Sequence, residues 1–386
     1  MDISKKRICI STHYQVYGAP QALRDYLISR KAEELVYIAH PLSAKGNYTY
    51  FETIRRGRVI EKKESRLRTG INLLNYPLEL FLTIKKCIGC RKIDLFIGVD
   101  NLNAFAGILL KKMGIAKTTI FYTIDYVPER FDNKILNGIY HWMDAYCVRN
   151  CDYTWNVSGR IAQARNDYRG LCGKKYERQT VVPIGVWPDK VKVQPFEKIR
   201  KHRLLFIGHL LQKQGVQFVL DAIPAISRKI PDFNFLIVGG GEYETELKNR
   251  ARRLGIEDRV TFTGWIKDRK KIDVIMADSA VAIAMYQKYD EKGNVSFTYF
   301  ADPTKIKDYL SAGLPVILTD VAHNAYEIER KGCGKVIKLD SNDITRAVVD
   351  MMKDEKALKT YRSNSREYAL LFDWNVIFER ALKGII

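Results

Sequence analysis

The chain has 386 residues, 46% of them apolar and 28% charged, which excludes a disordered chain or a single small core and fits two globular domains of about 150 to 200 residues each. Its formal charge of +20 is uneven: residues 1–200 carry 34 Lys and Arg against 19 Asp and Glu. Such a field suits anionic partners, yet no helix-turn-helix, RNP or zinc-finger pattern accompanies it, so nucleic acid is not expected among them.

The first residues, MDISKKRICIST, run from basic residues directly into a short strand-like segment without the apolar core of a signal peptide, and a cytoplasmic protein is expected. Short apolar, β-branched runs then recur with helical patterns between them, at 7–12, 34–40, 94–100, 118–124, 153–158 and 180–185. A second series follows at 203–209, 233–239, 260–265, 281–286, 314–319 and 335–339. This alternation predicts an α/β chain of two doubly wound, Rossmann-like domains facing each other across a cleft. The segment GVWPDKVKVQPFEKIRKH holds two prolines and no sustained period, which places the boundary near Pro195. The domains are thus read as 1–194 and 195–370, with 371–386 as a closing helix.

Within the first half, residues 55–92 carry eleven Lys and Arg against Glu61, Glu64 and Glu79. Between the basic groups lies INLLNYPLELFLTI, which is too short and too often interrupted to span a bilayer. Its apolar side chains are expected either to enter the headgroup region of an anionic membrane or to form a core helix with a solvated basic rim. The seven cysteines, an odd number, fit reduced thiols better than a disulfide framework. Cys87 and Cys90 form a CxxC, for which an ordinary buried role outweighs a zinc or redox site.

Ligands of doubly wound sheets sit beyond the carboxyl ends of the strands, so the strand-to-helix loops are the places to look. Gly18 and Ala19 follow the first strand and open a helix. Gly208 follows the first strand of the second series, and Gly239, Gly240 and Gly241 follow its second. Each cluster alone reads as a tight turn; matching positions in two domains point toward phosphate binding.

The segments LLFIGHLLQKQGVQFVLDAIPAI, FLIVGGGEYETELKNRARRLGIEDRVTFTGWI and PTKIKDYLSAGLPVILTD, in this order, resemble the family 4 retaining glycosyltransferases of the GT-B fold. More loosely, YTIDYVPERFDN, VVPIGV and the closing FDWNVIFERAL do so as well. The resemblance implies a nucleotide-diphosphate sugar held by the second domain and a lipid-linked or polysaccharide acceptor held by the first. It also implies sugar transfer with retention, without a metal or any cofactor beyond the sugar nucleotide. Hexose transfer on the inner face of the cell membrane, by a peripheral protein, is the activity it suggests.

Carried over position by position, the family's phosphate-gripping Arg and Lys become His209 and Gln214, with Lys213 one place earlier. The second of the family's paired glutamates becomes Asp308, a carboxylate able to accept both ribose hydroxyls. The first becomes Phe300, with Asp302 two residues on. The Pro-x-Lys variant of the family matches Pro303, Thr304 and Lys305, making Lys305 the leading candidate for the diphosphate and, with Asp302 and Asp125, a catalytic candidate. Gly264 and Ile266 take the position of the base edge, while Gly313 and Pro315 shape the turn after Asp308. In the first half Asp125 stands without the histidine that many relatives place before it; His13, Tyr14 and Arg130 complete the candidates. The altered Arg, Lys and Glu positions keep a second reading open, a relative that binds sugar nucleotide or glycan without turnover and supports an active partner.

Overall fold

The computed structural model describes residues 2–14, 16–42, 48–67, 69, 72–90, 92–290 and 293–385. Its contacts divide the chain into two units, Met1–Ile184 with Trp374–Ile386, and Gly185–Asp373. The division falls at Gly185 rather than near Pro195. The reason is backbone pairing: the Val186 amide donates to the Phe372 carbonyl at 2.8 Å, and Val186 bridges to Asp373, which fastens the connecting segment to the second unit.

The first unit runs β1 (Arg7–Tyr14), α1 (Ala19–Ser29), β2 (Glu34–Pro41), β3 (Thr49–Arg55), β4 (Arg58–Ser65), α2 (Asn72–Ile88), β5 (Ile93–Val99), α3 (Asn101–Lys112), β6 (Ala116–Thr123), α4 (Lys134–Asn150), β7 (Tyr153–Asn156), α5 (Gly159–Arg169) and β8 (Gln179–Val181). These strands form one sheet in the order β4-β3-β2-β1-β5-β6-β7-β8. From β2 to β8 the neighbours are parallel, and the apolar runs of β1, β2, β5, β6 and β7 are buried on both faces, as helix-covered parallel strands require, while β8 is an exposed edge.

The β3–β4 hairpin was not legible in the sequence. It is antiparallel, and β4 is a solvated edge strand whose Lys62 and Lys63 pair with Glu52 and Glu61. Charge on an edge strand blocks further strand pairing, so half of the basic segment at 55–92 belongs to this edge and not to a continuous docking patch. Of the rest, Leu78, Leu82 and Ile84 on α2 pack into the core with Cys87, while Arg68, Ile71 and Arg91 lie outside the described residues.

The second unit runs β9 (Arg200–Ile207), α6 (Val216–Lys229), β10 (Asn234–Val238), α7 (Glu244–Arg253), β11 (Val260–Phe262), α8 (Arg269–Asp278), β12 (Ser279–Ala284), α9 (Phe297–Phe300), α10 (Thr304–Ser311), β13 (Val316–Leu318), α11 (Ala325–Arg330), β14 (Gly334–Val336), α12 (Ser341–Lys353) and α13 (Glu355–Ala369). Its six strands are all parallel, in the order β11-β10-β9-β12-β13-β14. Successive residues of β9 feed opposite faces: Leu204 and Phe206 join the core under α6 and α12, and Leu205 joins the core under α10. The last helix, α14 (Trp374–Leu382), belongs to the first unit and packs on α1, where Phe378 meets Tyr26 at 5.5 Å between ring centroids.

Among the described residues no helix is long and apolar enough to cross a membrane, and no cluster of His, Cys, Asp and Glu has the makings of a metal site. All seven cysteines are free, and Cys87 lies with its sulfur 3.8 Å from that of Cys9 in the core.

Candidate functional site

The carboxyl ends of β9, β10, β11 and β12 bring the glycine turns of the second unit together. The Gly208 amide donates to the Val238 carbonyl at 3.0 Å and the Gly239 amide to the Gly264 carbonyl at 2.9 Å. Leu210 donates to the Gly240 carbonyl at 2.9 Å, so the loops after β9, β10 and β11 form one backbone-bonded layer. These turns are glycine for want of room. Gly239 has φ of 132°, and a Cβ there would collide with the Gly208 carbonyl oxygen; Gly208 has φ of 152°, and a Cβ there would stand 2.8 Å from the Lys305 ammonium. The Gly208 amide is bonded to Val238, and the absence of a side chain at Gly208 leaves clearance for Lys305.

Lys305 projects from the first turn of α10. Its Nζ donates to Gln214 Oε1 at 2.8 Å and lies over the rings of Phe206 at 4.5 Å and Tyr286 at 5.2 Å. Burial without a carboxylate partner pulls its pKa down to about 7. A lysine held with a neutral amide and two aromatic faces is short of negative charge, and an anion beside Gly208 would supply it. Gln214 thereby takes part in the same cluster as Lys305.

One turn along α10, Asp308 accepts from Arg269 of α8, Nη2 to Oδ1 at 2.9 Å and Nη1 to Oδ2 at 3.3 Å. Arg269 also gives its Nε to Asp273 at 2.8 Å. Burial by itself would lower the guanidinium pKa, and the two carboxylates reverse that and raise it. Sequence reading missed Arg269; the one signal was its place just after Asp268, the residue that caps α8.

The remaining candidates of this unit separate. His209 is exposed, with Nε2 3.4 Å from Glu242 and its ring 5.7 Å from that of Trp265, whose indole nitrogen also borders Gly240. Ile266 packs into the core under α10. Lys213 does not join Lys305: its Nζ sits 4.3 Å from the centre of the Phe297 ring, where burial lowers its pKa against the pull of Asp290 and Glu242. Asp302 is buried between Lys307 and His323, each 3.1 Å from its Oδ1, and Lys307 in turn lies over the Phe372 ring at 3.8 Å. This carboxylate anchors the segment before α10 and is not presented with Lys305 and Asp308.

In the first unit, Gly18 caps α1 and donates its amide to Gln21 Oε1 at 2.9 Å. Asp125 pairs with Arg130 at 2.9 Å, and Arg130 covers the Tyr140 ring at 5.2 Å. Tyr14 donates to the Tyr48 carbonyl at 3.3 Å. His13 lies between two carboxylates that sequence reading did not connect with it, Nδ1 at 2.5 Å from Asp100 and Nε2 at 3.0 Å from Glu79. Burial opposes the charged imidazole, but Asp100 and Glu79 prevail and its pKa rises to about 10. Asp100 holds φ of 71° while its Oδ1 caps α3, a conformation that costs about 1 to 3 kcal/mol in a non-glycine residue.

Residues 201–354 match the family model of the glycosyl transferases group 1. The match lies within the second unit. An uncharacterized glycosyltransferase of Haemophilus influenzae is 33% identical over 236 residues, 59% of this chain and 63% of that one. The lipopolysaccharide glucosyltransferase WaaG of Escherichia coli is 22% identical over 53% of this chain and 55% of its own length. The chain therefore spans less than two thirds of the length of these relatives. Among solved structures, Anabaena HepE in complex with UDP superposes with a TM-score of 0.71 at 16% identity, covering 98% of this chain and 99% of that one. At that identity the likeness is one of fold, and the fold is that of the GT-B glycosyltransferases. The matched residues include Lys305 and Asp308, along with Gly208, Gln214 and Arg269.

Proposed function

We propose that the chain is a retaining, metal-independent glycosyltransferase that moves a hexose-type sugar from a nucleotide-diphosphate sugar to a lipid-linked or polysaccharide acceptor. The observation that carries this reading is the Lys305 ammonium beside Gly208 and Gln214 at the carboxyl ends of β9 and β12, desolvated and without a carboxylate. In it, the diphosphate lies against Lys305 and Gly208, and the ribose hydroxyls reach the Asp308 carboxylate, exchanging with Arg269. Negative charge on the leaving diphosphate grows as the glycosidic bond breaks, so a cation already stripped of water stabilises the transition state more than the bound donor. The acceptor belongs to the first domain, where Asp125, Arg130 and His13 supply polar groups at strand ends.

A second reading, binding without turnover, is favoured by one specific feature. Phe300 is buried where the family has its first glutamate, and Asp302 is engaged with Lys307 and His323. A panel of nucleotide-diphosphate sugars, assayed for release of nucleoside diphosphate and for thermal shift, separates the two. The UDP in the HepE complex makes uridine the first base to try. Release with one donor supports the enzyme; a thermal shift with no release from any donor and acceptor supports the second reading.

A further inference from the structure

The two sheets share one topology. In each, the chain leaves the first strand toward one edge, returns past it and continues toward the other edge, so the order reverses between β1 and β5 in the first unit and between β9 and β12 in the second. Ligands of doubly wound sheets lie at that reversal, beyond the carboxyl ends of the two strands. In the second unit the place is held by Gly208 and the Lys305 ammonium, which suits an anion. In the first it is held by a carboxylate: Asp100, the residue after β5, meets the imidazole of His13 on β1 at 2.5 Å.

His13 and Glu79 keep 11% and 7% of their side chains exposed and Asp100 keeps 35%, so Asp100 is the member of this trio that a ligand can reach. Burial would raise its pKa, but the charged His13 and the Asn103 amide lower it, and the carboxylate stays ionised. Its backbone, φ 71° and ψ 171°, is one that glycine adopts freely and other residues rarely. Capping α3 does not call for it, because capping residues normally lie in the extended region at negative φ. Glycine would fit this backbone and asparagine would cap the helix; what aspartate adds to both is a charged acceptor. Two carboxylates around one imidazolium leave the trio at −1. Arg130, whose charge Asp100 also feels, is paired with Asp125 at 2.9 Å. Residues 1–200 carry 34 Lys and Arg against 19 Asp and Glu, yet a phosphate placed here would meet a carboxylate while His13 and Arg130 are already paired. A hydroxyl donates to a carboxylate and brings no charge, so it meets no such repulsion.

We propose that Asp100 sets the chemical class of the acceptor: its carboxylate accepts a hydrogen bond from a hydroxyl of an uncharged sugar ring and turns away a phosphate at that point. The end of the acceptor that the first unit holds is then a sugar, whether lipid or polysaccharide carries it, and any phosphate of a lipid carrier lies away from the reversal between β1 and β5. Lys305 and Asp100 thus give the same place in two like sheets opposite preferences, one for an anion and one for a hydroxyl donor. The inference rests on the sugar-transfer reading, but its test needs no turnover.

Saturation-transfer NMR on the full chain tests it, with the methyl α-glycosides of glucose, galactose, mannose and N-acetylglucosamine as uncharged probes and the 1-phosphates of the same sugars as charged ones. The titrations are run with excess UDP and repeated in Lys305→Met, so that an anion held at Lys305 is not counted. At least one glycoside is expected to bind at least about tenfold more tightly than its 1-phosphate. In Asp100→Asn, which keeps the cap, and in Asp100→Gly, which fits the backbone, affinity for that glycoside falls at least about tenfold, as loss of a charge-assisted hydrogen bond requires, and the preference over the 1-phosphate disappears. Far-UV circular dichroism and nucleoside diphosphate affinity stay parental in both. Absence of binding by every glycoside, a 1-phosphate bound as tightly as its glycoside by the parent, or parental glycoside affinity in both Asp100 variants would each overturn the proposal. A chain that binds a glycoside through Asp100 yet releases nucleoside diphosphate from no donor keeps this site and loses the transfer reading. One that releases nucleoside diphosphate while its Asp100 variants bind glycoside as the parent does keeps the transfer reading and loses this one.

Discussion

Asp308 of α10 grips Arg269 of α8 through both carboxylate oxygens, at 2.9 and 3.3 Å. The carboxylate assigned to the ribose is therefore occupied in the ligand-free chain, and a nucleotide has to compete with the guanidinium for it. Loss of a charge-assisted hydrogen bond costs about 1.5 to 3 kcal/mol, so Asp308→Ala should weaken nucleoside diphosphate binding at least about tenfold. Arg269→Gln should leave that affinity within about threefold, since removing the competitor offsets any contact it makes, and should shift stability by less than about 1 kcal/mol because the Arg269 side chain is 55% exposed. Isothermal titration and thermal unfolding of the two variants decide this. Unchanged affinity in Asp308→Ala would remove the ribose assignment.

Gly208 and Gly239 should respond differently to alanine. At Gly239 the new Cβ strikes backbone, the Gly208 carbonyl, and the loop cannot yield without breaking the bonded layer; a fall of several degrees in Tm is expected. At Gly208 the nearest atom is the end of the flexible Lys305 side chain, so the backbone cost is joined by displacement of the ammonium. Gly208→Ala should therefore lose nucleotide affinity out of proportion to its loss of Tm, and equal proportions in the two variants would contradict the role given to this turn.

Lys305 titrates near 7 in the free chain, lowered by burial. An anion against it raises that value, so above pH 7 binding takes up a proton and affinity falls as pH rises, by at most about tenfold per unit for this one group. Below pH 7 the amine is already charged and its contribution is level. Titration calorimetry at pH 8 in buffers of different ionisation enthalpy should show uptake of close to one proton, absent in Lys305→Met. Equal proton exchange in both proteins would place the titrating group elsewhere.

The pKa of His13 is shifted the other way, upward. Its folded pKa of about 10 lies above the unfolded value, so the stabilisation from Asp100 and Glu79 is complete below about pH 6.5 and is lost as pH rises toward 10. The Tm advantage of the parent over His13→Gln should shrink across that window. A constant difference would mean that the imidazole is held neutral.

The second unit was the more legible half because its motifs lie in contiguous turns: Gly208, Gly239 and the segment from Pro303 to Asp308 can be read from local spacing. What spacing cannot carry is direction. Lys213 and Lys305 are both lysines near glycine turns, but the short 3-10 turn before α6 sends Lys213 onto Phe297, whereas α10 sends Lys305 toward Gly208. Asp302 and Asp308 differ for the same reason: Lys307, inward on α10, draws Asp302 into the core. Arg269, Asp100 and Glu79 went unseen because each meets its partner across long sequence separations. The β3–β4 hairpin escaped because a solvated edge strand has no continuous apolar run, so its charges read as a patch.

The central claim is that Lys305 stabilises a leaving diphosphate, and the most direct measurement is single-turnover release of nucleoside diphosphate by Lys305→Met beside the parent, with donor affinity measured in the same preparations. Removal of one preorganised charge stabiliser costs on the order of 10²- to 10³-fold in rate. The account predicts a fall of at least about 100-fold in the rate at saturating donor with affinity changed by less than about tenfold. A variant that turns over at the parental rate, or one whose whole defect lies in binding, would contradict it.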